Sequence, residues 1–151
     1  MKRPARGPSS RARPLVQYAQ NRSSTLGKAV DDPVAQQVCG EIASAIDEMT
    51  AILHRNMETL SAHAAKGDVP QIALRQRYKL QSATVADRCA QLAARLMRVS
   101  GAAGIYDAYP FIGLLADINA GRQHIANQVE LIGRNLGAAM LGAKSSPDFM
   151  L

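Results

Sequence analysis

The groups able to do chemistry in this 151-residue chain are few: three histidines, two cysteines, twelve carboxylates and eleven glycines. His124 stands within "DINAGRQHIAN", residues 117–127. Read as helix, steps of four, three and four put Asp117, Gly121, His124 and Gln128 on one face, beside an apolar stripe of Ile118, Ile125 and Val129. An imidazole there fits two readings: a hydrogen-bonded residue at the edge of the core, or a group that donates and accepts protons near neutrality. Gly121 removes a side chain one turn before the ring, at a cost of about 1 kcal/mol relative to alanine in a helix interior. That leaves room for a close helix crossing or a flat ligand.

The remaining candidates are weaker. His54 and His63 lie nine residues apart and point to nearly opposite sides of one helix, and no His-x-x-x-His or Glu-x-x-His pair occurs, so no metal site is expected. "SGAAG", with Gly101 and Gly104, could bring backbone N–H groups to a phosphate, or could simply stop a helix and turn. In "RQRYK" the cations Arg75, Arg77 and Lys79 alternate around a helix while Tyr78 falls on its apolar stripe, which reads as a solvated face. Cys39 and Cys89 have no Cys-x-x-Cys or Cys-His spacing and read as small apolar residues in a reducing compartment.

These residues need positioning, and the composition names the elements that can do it. Twenty-six alanines against two Phe, four Tyr and no Trp favour close-packed helices over strands. The net charge of +6 divides unevenly: residues 1–28 carry seven basic side chains and no acid (+7), whereas residues 29–151 carry eleven basic and twelve acidic ones (−1). Residues 1–30, rich in Pro, Arg, Gly and Ser, read as a flexible basic arm or linker. The arm could attract nucleic acid by charge, but it lacks interleaved aromatics for stacking, so nucleic acid is not the expected partner. No apolar run reaches the length of a membrane span, and "MKRPARGPSSRARP" lacks the apolar core of a secretory signal, so the expected location is the cytoplasm.

Asp32 and Pro33 make a helix start, the first as N-cap and the second at the position where a missing N–H costs nothing. From Val38 to Ala64 the apolar residues recur in steps of three and four, predicting a helix of about 34 residues that ends at "KGDVP", with Gly67 as left-handed cap and Pro70 opening the next helix. The second helix carries Leu74, Tyr78, Val85, Cys89, Leu92 and Leu96 on its face, and Gly101 stops it. After "SGAAGIYDAYP" the period returns from Phe111 to Met140, either as one helix or as two meeting near residues 124–128. The expected fold is all-α, an antiparallel up-and-down four-helix bundle over residues 31–143 with a polar tail at 144–151. Bundles host many functions, so the pattern alone names none.

The stretch "LMRVSGAAGIYDAYPFIGLLADINAGRQHIANQVELIGRNLGAAMLG" resembles the C-terminal helical domain of the acyl-CoA dehydrogenase superfamily, and within it the flavin-dependent monooxygenase branch. The order carries the likeness: the loop Gly101–Gly104, Tyr106, Pro110, Asp117, His124, Gly133–Arg134 and the closing Leu141–Gly142. The resemblance spans about residues 15–151 and the last third of a family member; the N-terminal helical and central β domains of the family have no counterpart in the chain. It implies that Gly101, Ala102, Ala103 and Gly104 lie near the flavin (FAD or FMN), and that His124 lies by flavin and substrate as a donor to, or acceptor from, a substrate hydroxyl. Dehydrogenases proper carry a "YEGT"-like turn with a catalytic Glu where this chain has "RQHIAN", so acyl-CoA dehydrogenation is not expected. The implied partners are further copies of the chain in a dimer or tetramer, a separate chain with the other domains, and a flavin reductase. The chain is expected to be inactive alone. The alternative is a noncatalytic helical oligomerisation or scaffold module.

Overall fold

A computed structural model of the protein describes residues 23–24, 27–101, 105 and 111–143. The chain forms two compact units, residues 1–46 and 47–151. In the first, β1 (Ser23–Ser24) pairs antiparallel with β2 (Gly27–Lys28), Ser23 opposite Lys28. A single 3-10 turn, Ala29–Asp31, leads into α1 (Pro33–Lys66). Its N-terminus is built as expected: Asp32 Oδ1 accepts the Val34 N–H at 2.9 Å and the Asp32 carbonyl accepts the Gln36 N–H, with Pro33 in the first helical position. Ala35, Val38 and Ala45 are buried along one stripe of this first part of α1.

The second unit holds the remainder of α1 with α2 (Ile72–Ser100), α3 (Phe111–Arg122) and α4 (Val129–Leu141), the arrangement of an up-and-down four-helix bundle. The helix α1 is 34 residues long and closes at a left-handed Gly67 (φ +70°). The Gly67 N–H donates to the Ala64 carbonyl and the Asp68 N–H to the His63 carbonyl, which is the Schellman arrangement and satisfies two carbonyls that the helix end would otherwise orphan. Pro70 does not open the next helix. Gln71 is the N-cap, its carbonyl accepting from Leu74 and Arg75, and α2 starts at Ile72; Pro70 sits one residue earlier, fixing the extended approach.

The helix pair α1 and α2 runs antiparallel. Asn56 Nδ2 donates to Gln81 Oε1 at 2.9 Å, and eight residues earlier on α1, Glu48 accepts from Arg88 at 3.0 Å, seven residues later on α2. The central helix is α2, which packs on α3, α4 and the turn between them. Its buried positions are Gln76, Ala83, Ala90 and Ser100, the first three one every seven residues, whereas the larger Leu74, Val85 and Leu92 flank them half-buried. The small side chains of Ala83 and Ala90 in these seats allow the neighbouring helices to approach closely. Phe111 and Ile132 are buried, anchoring α3 and α4 in turn. Several positions expected on apolar stripes, Met57, Leu114, Ile125 and Met140 among them, are exposed instead; on α1 the buried seat next to Met57 is taken by Asn56.

Between α3 and α4 the chain breaks into a 3-10 turn, Ile125–Asn127, so the last segment is two helices. At the other end, α2 stops at Gly101 (φ +61°) and α4 at a left-handed Gly142 (φ +70°), whose N–H, with that of Ala143, donates to the Ala138 carbonyl. Among the described residues no helix is long and apolar enough to cross a membrane.

Candidate functional site

The break between α3 and α4 sets the geometry around His124. Its backbone is extended (φ −61°, ψ 139°), so it lies in neither helix, and the shared face of Asp117, Gly121, His124 and Gln128 expected from helical spacing does not form. His124 caps the 3-10 turn instead: its Nδ1 accepts the Ala126 N–H at 3.2 Å, and its carbonyl accepts the Asn127 N–H at 2.8 Å. The imidazole does here what an Asn or Asp does at an N-cap. The ring is exposed. With Nδ1 accepting, the neutral ring carries its proton on Nε2 and donates from there.

The turn is held from several sides. The Gly121 carbonyl accepts both the His124 N–H at 3.2 Å and Asn127 Nδ2 at 2.8 Å, stapling the end of α3 to the end of the turn. Arg122 reaches from the last turn of α3 to Asp87 on α2 at 2.7 Å. A Cβ built on Gly121 meets nothing within 4 Å, so no helix crosses there, and the expectation that this glycine makes room for a close crossing is not met.

Beside this turn lies a cavity of about 440 Å³, within the range of small-molecule sites. On one wall α1 supplies Leu53, Asn56, Met57 and Leu60; on the other α2 supplies Arg75, Tyr78, Lys79 and Ser82. Ala126 and Asn127 of the turn close it. His124 therefore stands behind this wall, joined to it through Ala126, rather than in the lining itself. Asn56 is almost fully buried and its amide is satisfied by Gln81, while Arg55 donates to both Asn56 Oδ1 and Gln81 Oε1. Another, more polar cleft of about 290 Å³ is lined by residues of the turn and of α2, with Arg122 already paired with Asp87.

Arg75 and Lys79 correct the reading of "RQRYK" as a solvated face. Both are half-buried cavity residues, one turn apart with Tyr78 between them, and only Arg77 is exposed. The spacing of four with an aromatic at the third position was the available signal; the alternation of charge concealed it. Of the other chemical groups, His63 Nδ1 lies 2.8 Å from Asp68 Oδ1 at the end of α1, and His54 is exposed. Burial pushes the Cys89 thiol above its ordinary value of 9.0 although Arg88 pulls it down, and burial likewise raises that of Cys39. Of the expected flavin loop, Gly101 ends α2 with a positive φ (+61°) and an extended ψ (−161°), while Ala102, Ala103 and Gly104 lie outside the described residues. So do Tyr106, Pro110, most of the arm and the tail at 144–151.

Taken as a class, this is an all-α bundle domain with a ligand-sized cavity closed by the turn between its last two helices. The model of the family described as "Acyl-CoA dehydrogenase, C-terminal domain" matches residues 10–129, and the chain belongs to that family. It is similar to the indole-3-acetate monooxygenase of Pseudomonas putida, 25% identical over 138 residues, which are 90% of this chain and 35% of the relative. Its fold superposes on the HsaA monooxygenase from M. tuberculosis with a TM-score of 0.79 at 27% identity, covering 92% of this chain and 35% of that one. For the 3-HSA hydroxylase from Rhodococcus sp. RHA1 the TM-score is also 0.79, at 25% identity, covering 93% and 36%. The chain thus spans about a third of the length of the relatives it matches.

Proposed function

We propose that this chain supplies one wall of the flavin and substrate site of a monooxygenase and contributes to its assembly. The observation that carries the reading is the 440 Å³ cavity closed by the turn that His124 caps. The names of the relatives, two monooxygenases and a hydroxylase, support the reaction class. Flavin, FAD or FMN, would supply the activation of O₂. On this chain, Gly101 has a positive-φ backbone open to glycine, which lets a main chain approach a flat or phosphate-bearing ligand without a side chain between, and Ala102, Ala103 and Gly104 follow it in sequence.

In this reading His124 acts from behind the cavity wall: its Nδ1 holds the Ala126 N–H, which fixes the turn, and its Nε2–H is left to donate to flavin or to a substrate hydroxyl outside the lining. The apolar side chains of Leu53, Met57 and Leu60 would cover the substrate body and exclude water. The remaining walls would come from the domains outside this third of a family member, and this third is expected to be inactive without them.

The test is flavin fluorescence titrated with the purified chain. Quenching that weakens in His124→Ala and in Gly101→Val supports the reading. Absence of quenching by FAD and FMN, together with a tight oligomer in light scattering, would replace it with the scaffold reading. That second reading is favoured by Ile112 and Leu114 on α3 and Met140 and Leu141 on α4, large apolar side chains left exposed.

A further inference from the structure

We infer that the cavity beside the turn takes an organic carboxylate: an apolar, ring-sized body with one anionic end, the anion seated on Arg75. The inference rests on the reading of this cavity as a substrate site and names the substrate class it would take. Its argument is the charge of the lining. Arg75 and Lys79 both line it, Lys79 already holding a partner of its own, and no Asp or Glu is among the lining residues. Arg75 forms no ion pair with a described carboxylate, and its Nε–H is closed off from solvent without an acceptor. A guanidinium in a partly desolvated wall without a counter-ion is unfavourable, and an entering carboxylate removes that penalty through a charge-assisted bond.

The other basic residues around the turn are already committed. Arg122 pairs with Asp87, Arg88 with Glu48, and Arg55 is bound to Asn56 and Gln81. The unpaired cation is therefore at the α2 side of the cavity, whereas Leu53, Met57 and Leu60 supply its apolar side on α1. A ligand with charge at one end and hydrocarbon at the other matches both walls. Inorganic phosphate matches only one. Tyr78, one turn from Arg75 on the same wall, offers a ring face for an aromatic body.

The experiment is an NMR or calorimetric titration of the chain with 4-phenylbutyrate, with its neutral amide and with inorganic phosphate, with flavin quenching measured on the same samples. The expected result is that the carboxylate binds about tenfold more tightly than the amide, the scale of one charge-assisted hydrogen bond. Arg75→Gln should abolish that preference and Arg75→Lys should restore part of it, with circular dichroism verifying that both variants stay folded. Equal binding of carboxylate and amide, a preference that survives Arg75→Gln, phosphate binding as tightly as the carboxylate, or no binding of any probe would overturn the inference. Any of these with flavin quenching intact sinks the carboxylate site alone; loss of quenching in the unaltered chain sinks the reading beneath it.

Discussion

At the residue scale, three side chains have roles that their neighbours define. His124 is a cap before it is anything else, and that separates its two nitrogens experimentally. His124→Asn keeps a cap acceptor and loses Nε2, whereas His124→Ala loses both. The thermal midpoint should therefore fall by no more than a degree or so in the Asn variant, while the Ala variant loses about 1 kcal/mol. If flavin or substrate binding weakens equally in both, the distal nitrogen matters; if only the Ala variant is affected, the histidine is structural. Gln76 is the opposite case: it is almost fully buried, yet neither its Nε2 nor its Oε1 meets a partner. Gln76→Met removes two unpaired polar atoms at similar volume and should stabilise the chain by roughly 1–3 kcal/mol, seen as a higher urea midpoint at unchanged slope. The cysteines report the same burial through pH. Raised thiol values keep the neutral form to higher pH, so iodoacetamide at pH 8.5 should alkylate Cys39 and Cys89 more slowly than free cysteine, the difference shrinking in urea.

At the element scale, glycines divide by what surrounds them. Gly67 has φ +70° in a Schellman cap, so Gly67→Ala forces an L side chain into left-handed backbone and should cost about 1 kcal/mol. Gly133, inside α4, is the reverse: a Cβ there would meet Leu80 Cδ1 at 3.7 Å, an ordinary contact, and the helix gains the propensity of alanine. Gly133→Ala should stabilise by roughly 0.5–1 kcal/mol, and paired thermal melts of the two variants would show shifts of opposite sign. Helix ends were legible in the sequence where a single residue type does the work, as with Asp32–Pro33, Gly67 and Gly101. The break between α3 and α4 was legible only as one of two alternatives, because the apolar period of Ile118, Ile125, Val129 and Ile132 runs through it. Only tertiary support, Asn127 on the Gly121 carbonyl and Arg122 on Asp87, selects the turn over a continuous helix. The same blindness hid Arg75 and Lys79. Alternating charge looks solvated until a facing helix covers it, and no local pattern reports a facing helix.

At the scale of the whole molecule, the family and the bundle were readable from residue order, and the position of His124 relative to the cavity was not. The lining draws on residues 53–60, 75–82 and 126–127, three segments brought together only by the packing of α2 against its neighbours. What the bundle leaves uncovered is also a product of the whole: Phe111 turns inward on α3 while Ile112 and Leu114 stay exposed, and Ile132 is buried on α4 while Met140 and Leu141 are not. Exposed apolar side chains are common on any domain, and those that gather into one patch mark a surface that another protein covers. Self-association through this uncovered surface is the expected outcome, with the oligomer dissociating on dilution. Leu114→Lys combined with Met140→Lys should shift the light-scattering mass toward the monomer, because each introduces a charge that an apolar interface would have to desolvate. Helicity should be unchanged, since both side chains already face solvent in the single chain. A monomer before substitution, or an oligomer untouched by it, would place the covering surface elsewhere.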